Sequence, residues 1–287
     1  MKEMYKWYTV LILLSVLNFT ACNTENTTHK NDLIEQNLNG NVKSLKKITY
    51  TEVDEFGNVI KGENILTNKY YTFNREGYKT NEIWYDSRGK MVKKNTFDYD
   101  DNFRMMENKY YGINETLETK ILFTYDDSGK EIERKILVTE GNQVFKGVVN
   151  YDTNGNIIEG AIYKSDGSIE NKFIFNHDKR GNIIEEIFFK FDGSIEGKST
   201  FKFDDMGRII EHNTFNTDGT LNNKTISKYD DNGNEVEFKM FSPDGTIFNE
   251  TTTIYELFDI NNNWIKSIDY KYGVPNYLNE RIIEYFE

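Results

Sequence analysis

Cysteine occurs once in this chain of 287 residues, proline twice and histidine three times. A single thiol excludes disulfide staples and zinc–thiolate centres. Two prolines exclude a proline-rich disordered chain. Positive charge is also short: 35 Lys and Arg stand against 47 Asp and Glu, a net charge of −12. Such a surface repels phosphate backbones, so nucleic acid is not an expected partner, and it disfavours electrostatic adhesion to anionic lipid. Helical periodicity is missing throughout, and no glycine-rich phosphate loop precedes a helix. Aromatic residues, by contrast, make up 15% of the chain, and these side chains suit pleated, half-buried sheet surfaces.

The one long apolar run lies at the start. Lys2 and Lys6 precede an apolar segment from Tyr8 to Phe19, and the small residues Thr20 and Ala21 lead into Cys22. This order is that of a secretory signal, and the run is too short for an ordinary spanning helix of ~20 residues. The sequence Phe19-Thr20-Ala21-Cys22 resembles the lipobox of bacterial lipoproteins, with phenylalanine in place of the usual leucine. That resemblance implies cleavage before Cys22, a lipid on its thiol, and an exported protein of the bacterial envelope, facing periplasm or cell surface from the outer membrane. Residues 1–21 are therefore read as a lipoprotein signal peptide. Residues 22–37, polar and rich in Asn and Thr, are read as a flexible tether, and 38–287 as the folded domain.

Glycine recurs with a period. Gly129, Gly155, Gly181, Gly207 and Gly233 are spaced by 26 residues, with Phe103 and Gly77 extending the series backward. A second series, Gly141, Gly167, Gly193, Gly219 and Gly245, has the same spacing, with Gly89 and Glu115 in register. The first turns read Tyr151-Asp152-Thr153-Asn154-Gly155-Asn156 and Tyr229-Asp230-Asp231-Asn232-Gly233-Asn234; the second read Asp166-Gly167-Ser168, Asp192-Gly193-Ser194, Asp218-Gly219-Thr220 and Asp244-Gly245-Thr246. Asp-Gly and Asn-Gly accept positive φ with little strain and mark hairpins. Turns alternating at 12 and 14 residues leave strands of about eight residues, ~26 Å long.

The expected fold class is all-β: an antiparallel β-meander repeat protein of 26-residue, two-strand units. One apolar face on so long a sheet demands burial, and sheet twist accumulates, so the sheet should be curled, spiral or barrel-like. Alternation from a hairpin at Asp166-Gly167 pairs Ile162 with Asn171. It gathers Ile158, Ile162, Ile169, Phe173, Phe175 and His177, then Ile184, Phe188, Ile195, Phe201 and Phe203, then Ile210, Leu221 and Tyr229, on a core face. The opposite face takes Glu107, Glu133, Glu159, Glu185, Glu211 and Glu237 with Lys120, Lys146, Lys172, Lys198 and Lys224. The irregular opening unit, 40–61, and the closing strand from Arg281 to Tyr285 are expected to serve as caps.

The Tyr-Asp turns, with Tyr125-Asp126-Asp127-Ser128-Gly129-Lys130 and Phe203-Asp204-Asp205-Met206-Gly207-Arg208, resemble the YD (Rhs-type) repeat superfamily. The opening Leu38-Asn39-Gly40-Asn41-Val42-Lys43-Ser44 and the closing Asn263-Trp264-Ile265-Lys266 resemble uncharacterised bacterial lipoproteins built from such repeats. The resemblance implies β-sheet spirals or shells, and some members have been called carbohydrate-binding.

Chemistry is sparse. His29 falls in the tether, His177 replaces a repeated Tyr or Phe, and His212 follows Glu211 on a strand, so no Ser-His-Asp set assembles. Carboxylates recur once per unit, as structural positions do, whereas paired catalytic acids would break the pattern. Asp230, Asp231, Asn232 and Asn234 do not meet EF-hand spacing. The chain is therefore read as no enzyme, with no cofactor and no metal: a lipid-anchored envelope scaffold that binds a glycan or protein ligand. Trp84, Tyr110, Tyr163, Phe189, Phe215 and Phe241 are the candidate ligand-binding rings. The alternative is a structural, assembly or toxin-immunity-like envelope protein acting through protein–protein contacts.

Overall fold

The computed structural model describes residues 31–51, 61 and 65–287. The expected signal peptide, Cys22, His29 and the Gly57 turn lie outside the described residues. A short helix, α1 (Asp32–Glu35), precedes eighteen strands: β1 (Val42–Tyr50), β2 (Ile65–Phe73), β3 (Lys79–Tyr85), β4 (Met91–Tyr99), β5 (Met105–Tyr111), β6 (Leu117–Tyr125), β7 (Glu131–Val138), β8 (Gln143–Tyr151), β9 (Ile157–Lys164), β10 (Ile169–His177), β11 (Ile183–Lys190), β12 (Ile195–Phe203), β13 (Ile209–Phe215), β14 (Leu221–Tyr229), β15 (Glu235–Phe241), β16 (Ile247–Phe258), β17 (Trp264–Lys271) and β18 (Val274–Tyr285). Every strand pairs antiparallel with its sequence neighbours, and β18 pairs with β1, so the meander closes into an 18-stranded barrel. Closure removes both sheet edges.

The turns work as their residues dictate. In Tyr151–Ile157 the Gly155 N–H bonds the Asp152 carbonyl at 3.1 Å, and Asp152 N–H bonds the Asn156 carbonyl at 2.9 Å. Gly155 takes φ +88, which gives a type I turn closed by a glycine bulge. The Asp152 carboxylate accepts the N–H groups of Asn154 and Asn156 at 2.9 and 2.8 Å, an Asx turn. Phe103 (φ 60) and Asn262 (φ 61) hold the same left-handed position without glycine, and so does Glu115 (φ 58) in the second series. All Tyr-Asp turns lie at one rim and all Asp-Gly turns at the other.

A second device ties units together. Tyr125 donates its hydroxyl to the Met105 carbonyl at 2.7 Å, Tyr151 to Glu131 at 2.7 Å, Tyr229 to Ile209 at 3.0 Å and Tyr255 to Glu235 at 2.9 Å. Each tyrosine therefore reaches back 20 residues to the strand start of the preceding unit.

The inner face holds the core. Tyr110, Ile121, Phe123, Ile136, Phe145, Ile157, Ile162, Phe173 and Phe175 form one buried cluster. Ile162 stands opposite Asn171, and Phe173 opposite Gly160 and Phe188. Six residues expected in this core lie elsewhere. Ile158 and Ile184 are each 38% exposed, while Ile169, Ile195 and Leu221 stand opposite the outward Tyr163, Phe189 and Phe215. Ile210 sits in the same bulge as Ile158 and Ile184, one unit on. The reason is a β-bulge beside each turn, which adds a residue and flips the in–out parity of the residues beyond it.

The expected tether packs onto the barrel over residues 31–37. Leu33 and Leu38 join Val42, Leu45, Tyr71 and Phe73 in a buried cluster. Asn31 Nδ2 bonds the Glu76 carbonyl at 2.8 Å, and Asn37 Nδ2 reaches the Asn232 carbonyl at 3.2 Å. Asn263 grips Asn39 through both amide groups, at 2.7 and 2.9 Å. Glu76, Asn232 and Asn263 all belong to Tyr-Asp-type turns, so this segment crosses the Tyr-Asp rim.

Candidate functional site

The outer wall is organised in belts. At its middle, glutamates near the Tyr-Asp rim meet lysines near the Asp-Gly rim. Glu107 pairs with Lys120 and Lys109, Glu133 with Lys146 at 2.5 Å, Glu185 with Lys198 at 2.5 Å, and Glu211 with Lys224 and Lys202, both at 2.9 Å. Glu159 departs from the series and takes the Asn150 amide instead, at 2.9 Å. Burial would raise the Glu211 carboxyl, but hydrogen bonds from Lys224, Asn213 and Lys202 outweigh it and hold the group down to about 2. The turn aspartates are also committed: hydrogen bonds from Ser168 hold Asp166 low, and those from Ser194 do the same for Asp192. These acids serve as ladder rungs and turn caps. Among the described residues no group of three or more His, Cys, Asp or Glu is placed to hold a metal ion.

Tyr163, Phe189, Phe215 and Phe241 lie on this outer wall at its Asp-Gly edge, all half-buried. Each stands opposite a lysine in register: Lys146, Lys172, Lys198 and Lys224. Lys198 Nζ sits 5.6 Å from the Phe215 ring centroid. On the other flank each ring meets an aliphatic residue: Ile169, Ile195, Leu221 and Ile247. Strand twist and the bulge beside each Asp-Gly turn place these side chains in one row. An open groove of about 520 Å³ runs beside Tyr163, lined by Val144, Lys146, Val148 and Lys164. That volume suits a small ligand with an apolar wall and few polar groups.

The other two candidate rings are not in this row. Trp84 and Tyr110 point to the inner face. Tyr110 is 8% exposed and belongs to the core cluster. Trp84 lies between Lys69 and Lys93, whose Nζ atoms are 4.0 and 5.3 Å from its ring centroid. His177 stands inward opposite Ile183, and burial lowers its imidazole's affinity for a proton. His212 stacks on Phe201 with centroids 4.6 Å apart, and burial lowers it too. The sequence reading missed the inward lysines, because alternation alone assigns lysine to the wet side.

No protein-family profile and no curated protein matches the chain. Among solved structures, a porin-like protein from Bacteroides uniformis ATCC 8492 is similar at 10% identity, over 86% of this chain and 99% of that one, with a TM-score of 0.44. A Tc holotoxin pore from Photorhabdus luminescens is similar at 9% identity over 77% of this chain, with a TM-score of 0.22. A TcdB2-TccC3-Cdc42 complex is similar at 12% identity over 86%, with a TM-score of 0.23. The chain spans 16% of the length of each of these toxin chains. These values are too low to transfer any property to this chain.

Proposed function

We propose that this protein is a non-catalytic, ligand-binding barrel of the bacterial envelope, held to a membrane by lipid on Cys22 and presenting its Asp-Gly rim outward. The observation that carries the reading is the polarity of the barrel. The chain enters at the Tyr-Asp rim, where Asn31 bonds the Glu76 carbonyl, while the ring row and the groove at Tyr163 occupy the opposite rim. An anchor preceding residue 31 would thus leave the groove facing away from the membrane. The repeated Tyr-Asp turns support kinship with YD-repeat lipoproteins.

The wall itself faces water in this reading. Lysines 109, 120, 146, 198, 224 and 239 form a mid-height belt of ion pairs. A lysine at the midplane of a lipid-facing barrel wall costs about 2–4 kcal/mol. A membrane-spanning barrel of this sequence would incur that cost at every unit. The Cys22→Ala protein should therefore leave the membrane fraction and remain folded in detergent-free buffer; retention as an integral membrane protein would overturn the reading.

The ligand is read as a glycan. Half-buried rings beside lysine ammonium groups offer a stacking face and hydrogen-bond donors together. Tyr163→Ala and Phe189→Ala in the whole chain should abolish retention on a glycan array while the protein stays folded, with only a modest fall in melting temperature from the half-buried ring area lost. Unchanged retention would sink the glycan site. A second reading, a protein partner, is favoured by the apolar tips of the same rim: Phe191 is 73% exposed, Val274 63% and Phe248 47%. Val274 and Phe248 lie by neighbouring turns of that rim, and an apolar patch there would suit a protein contact.

A further inference from the structure

The inner face of the regular units is mostly neutral at mid-height; Arg134, paired with Glu131, and the buried Glu186 are isolated charges there. The cross-strand pairs there are Tyr110 with Thr119, Ile136 with Phe145, Ile162 with Asn171, and Thr214 with Asn223. Where β18 closes on β1, the pattern breaks. Arg281 stands directly opposite Lys47, Lys47 opposite Lys69, Lys69 opposite Trp84, and Trp84 opposite Lys93. Four cations thus occupy five successive inward positions across β18, β1, β2, β3 and β4. Like charges directly opposite one another destabilise a sheet, so this row calls for a counter-charge.

The described residues supply little. None of these four cations is within salt-bridge distance of a carboxylate among the described residues. Arg281 is 7% exposed, lies 3.6 Å from the Trp264 ring centroid, and donates one bond, from Nη2 to the Gln36 carbonyl at 3.2 Å. Its Nε and Nη1 are buried with no hydrogen-bond partner. Lys47 Nζ donates to the Gln36 side-chain oxygen at 2.7 Å, a neutral acceptor that cancels no charge. Lys69 and Lys93 contact the faces of Trp84, and Lys93 that of Tyr110 at 5.7 Å. The nearby Glu82 carboxylate accepts the Trp84 indole N–H at 2.8 Å.

We propose that this inward row, Arg281, Lys47, Lys69 and Lys93 with Trp84 and Trp264, is a binding site for an oxyanion, a carboxylate, phosphate or sulfate group carried by the ligand. Three features support it independently of one another. The buried guanidinium has two nitrogens free to donate, and guanidinium is the group suited to planar oxyanions. Burial, then the charges of Arg281, Lys69 and Lys79, lower the Lys47 ammonium to about 7, and burial first of all lowers Lys69. A bound anion would favour the charged form of both and so offset these shifts. Lys69, Lys93 and Trp84 are half-buried, so they keep access to solvent inside the barrel. The site lies beneath Gln36, so the segment that crosses the Tyr-Asp rim covers it from that side. The inference rests on the reading of the barrel as a binding scaffold and needs neither its location nor the outer groove.

The test is isothermal titration of the whole chain with inorganic phosphate and with glucuronate, against a chloride background of matched ionic strength, with glucose as the neutral control. Saturable binding of phosphate, of glucuronate or of both is expected, with no heat from glucose at this site. Phosphate alone would assign a phosphorylated ligand; glucuronate alone would assign an acidic saccharide. Lys69→Gln should weaken binding at least tenfold. It removes a partly buried charge that Lys47 and Lys93 oppose and Glu82 favours, so the free protein should keep its melting temperature within a few degrees. Arg281→Gln should weaken binding further, and if that variant fails to fold, Lys69→Gln decides alone. No saturable binding of either anion, or wild-type binding by Lys69→Gln, would overturn the inference. Loss of glycan retention in Tyr163→Ala alongside absent anion binding would leave the outer-groove reading standing and this one refuted.

Discussion

The tyrosine rungs allow a two-sided stability test. Tyr151 donates its hydroxyl to the Glu131 carbonyl at 2.7 Å, and burial, with the Glu131 charge, pushes its phenol up to about 12. Tyr151→Phe keeps the ring and removes only the donor. The net loss of such a bond is about 0.5–1.5 kcal/mol, rising toward 1–3 kcal/mol if the carbonyl is left dry. Tyr151 is half-buried, so water can reach the freed carbonyl and the lower range applies, about 1 kcal/mol. For a domain of this size that corresponds to about 2–4 °C in melting temperature. The reverse change is available in the same molecule. Phe203 occupies the same repeat position and carries no hydroxyl, and Ile183, 20 residues back, stands where Glu131 stands for Tyr151. Phe203→Tyr should gain about 0.5–1.5 kcal/mol. Guanidinium melts measure both, with an unchanged slope certifying that the midpoint shift is a stability change. The units share no side chains across these positions, so the double variant should return near wild type. If Tyr151→Phe and Phe203→Tyr both leave the midpoint where it was, the rungs hold nothing and the linkage of units lies in the backbone ladder alone.

Three further outcomes rest on single residues. The Glu211 carboxyl, held down to about 2 in the folded protein, titrates near 4.3 when unfolded; a depressed folded value means stability present above pH ~4.3 and lost as pH falls toward ~2. Acid melts of Glu211→Gln should show a shallower loss over that window than wild type, and parallel curves would refute the assignment. Glu115 holds φ 58 where other units have glycine, so Glu115→Gly should stabilise by about 1 kcal/mol, less a small term for its exposed 3.8 Å pair with Lys94, measured by denaturant midpoint. Gly77 and Gly89 share a positive φ, but a Cβ at Gly77 would stand 2.9 Å from Leu33 Cδ1 while one at Gly89 meets nothing within 4 Å. Gly77→Ala should therefore cost more than Gly89→Ala and expose residues 31–37 to protease; equal costs would mean that this segment is not docked.

How far the fold could be read from sequence depends on how local each cause is. The turns were legible because positive φ and Asx capping are properties of single residues, as at Asp152 and Gly155. Mid-strand faces were legible because alternation holds where no residue is inserted: Ile162, Phe173 and Phe188 point inward as the pattern requires. Beside the turns the pattern fails, since nothing in Ile157-Ile158 or Ile195-Glu196 marks which residue a bulge will absorb. Closure was beyond reach for another reason: Leu45 opposite Ile283 joins residues far apart in the chain, and only the accumulated twist of all units brings them together. Docking of α1 was hidden by composition, because its apolar contacts come from Leu33 and Leu38 and the rest from polar residues that a tether would also contain.

The same distinction explains where unusual chemistry sits. A side chain that recurs at 26-residue spacing is fixed by what every unit needs, and the Glu–Lys belt and turn aspartates are used up in that way. Lys47, Lys69, Lys93 and Arg281 have no equivalents at that spacing; in regular units the matching inward positions hold residues such as Thr119, Phe145 and Asn171. The closing seam must join an irregular first strand to an irregular last one, so its inward positions are free of the repeat's demands. A net charge of −12 hides this, because most acids lie at turns and on the outer wall while the seam's cations face inward with Glu82 as the inward acid beside them. An anion drawn to the row would meet low-dielectric walls and strengthened attraction, screened by the barrel from the acidic exterior that would repel it in open water.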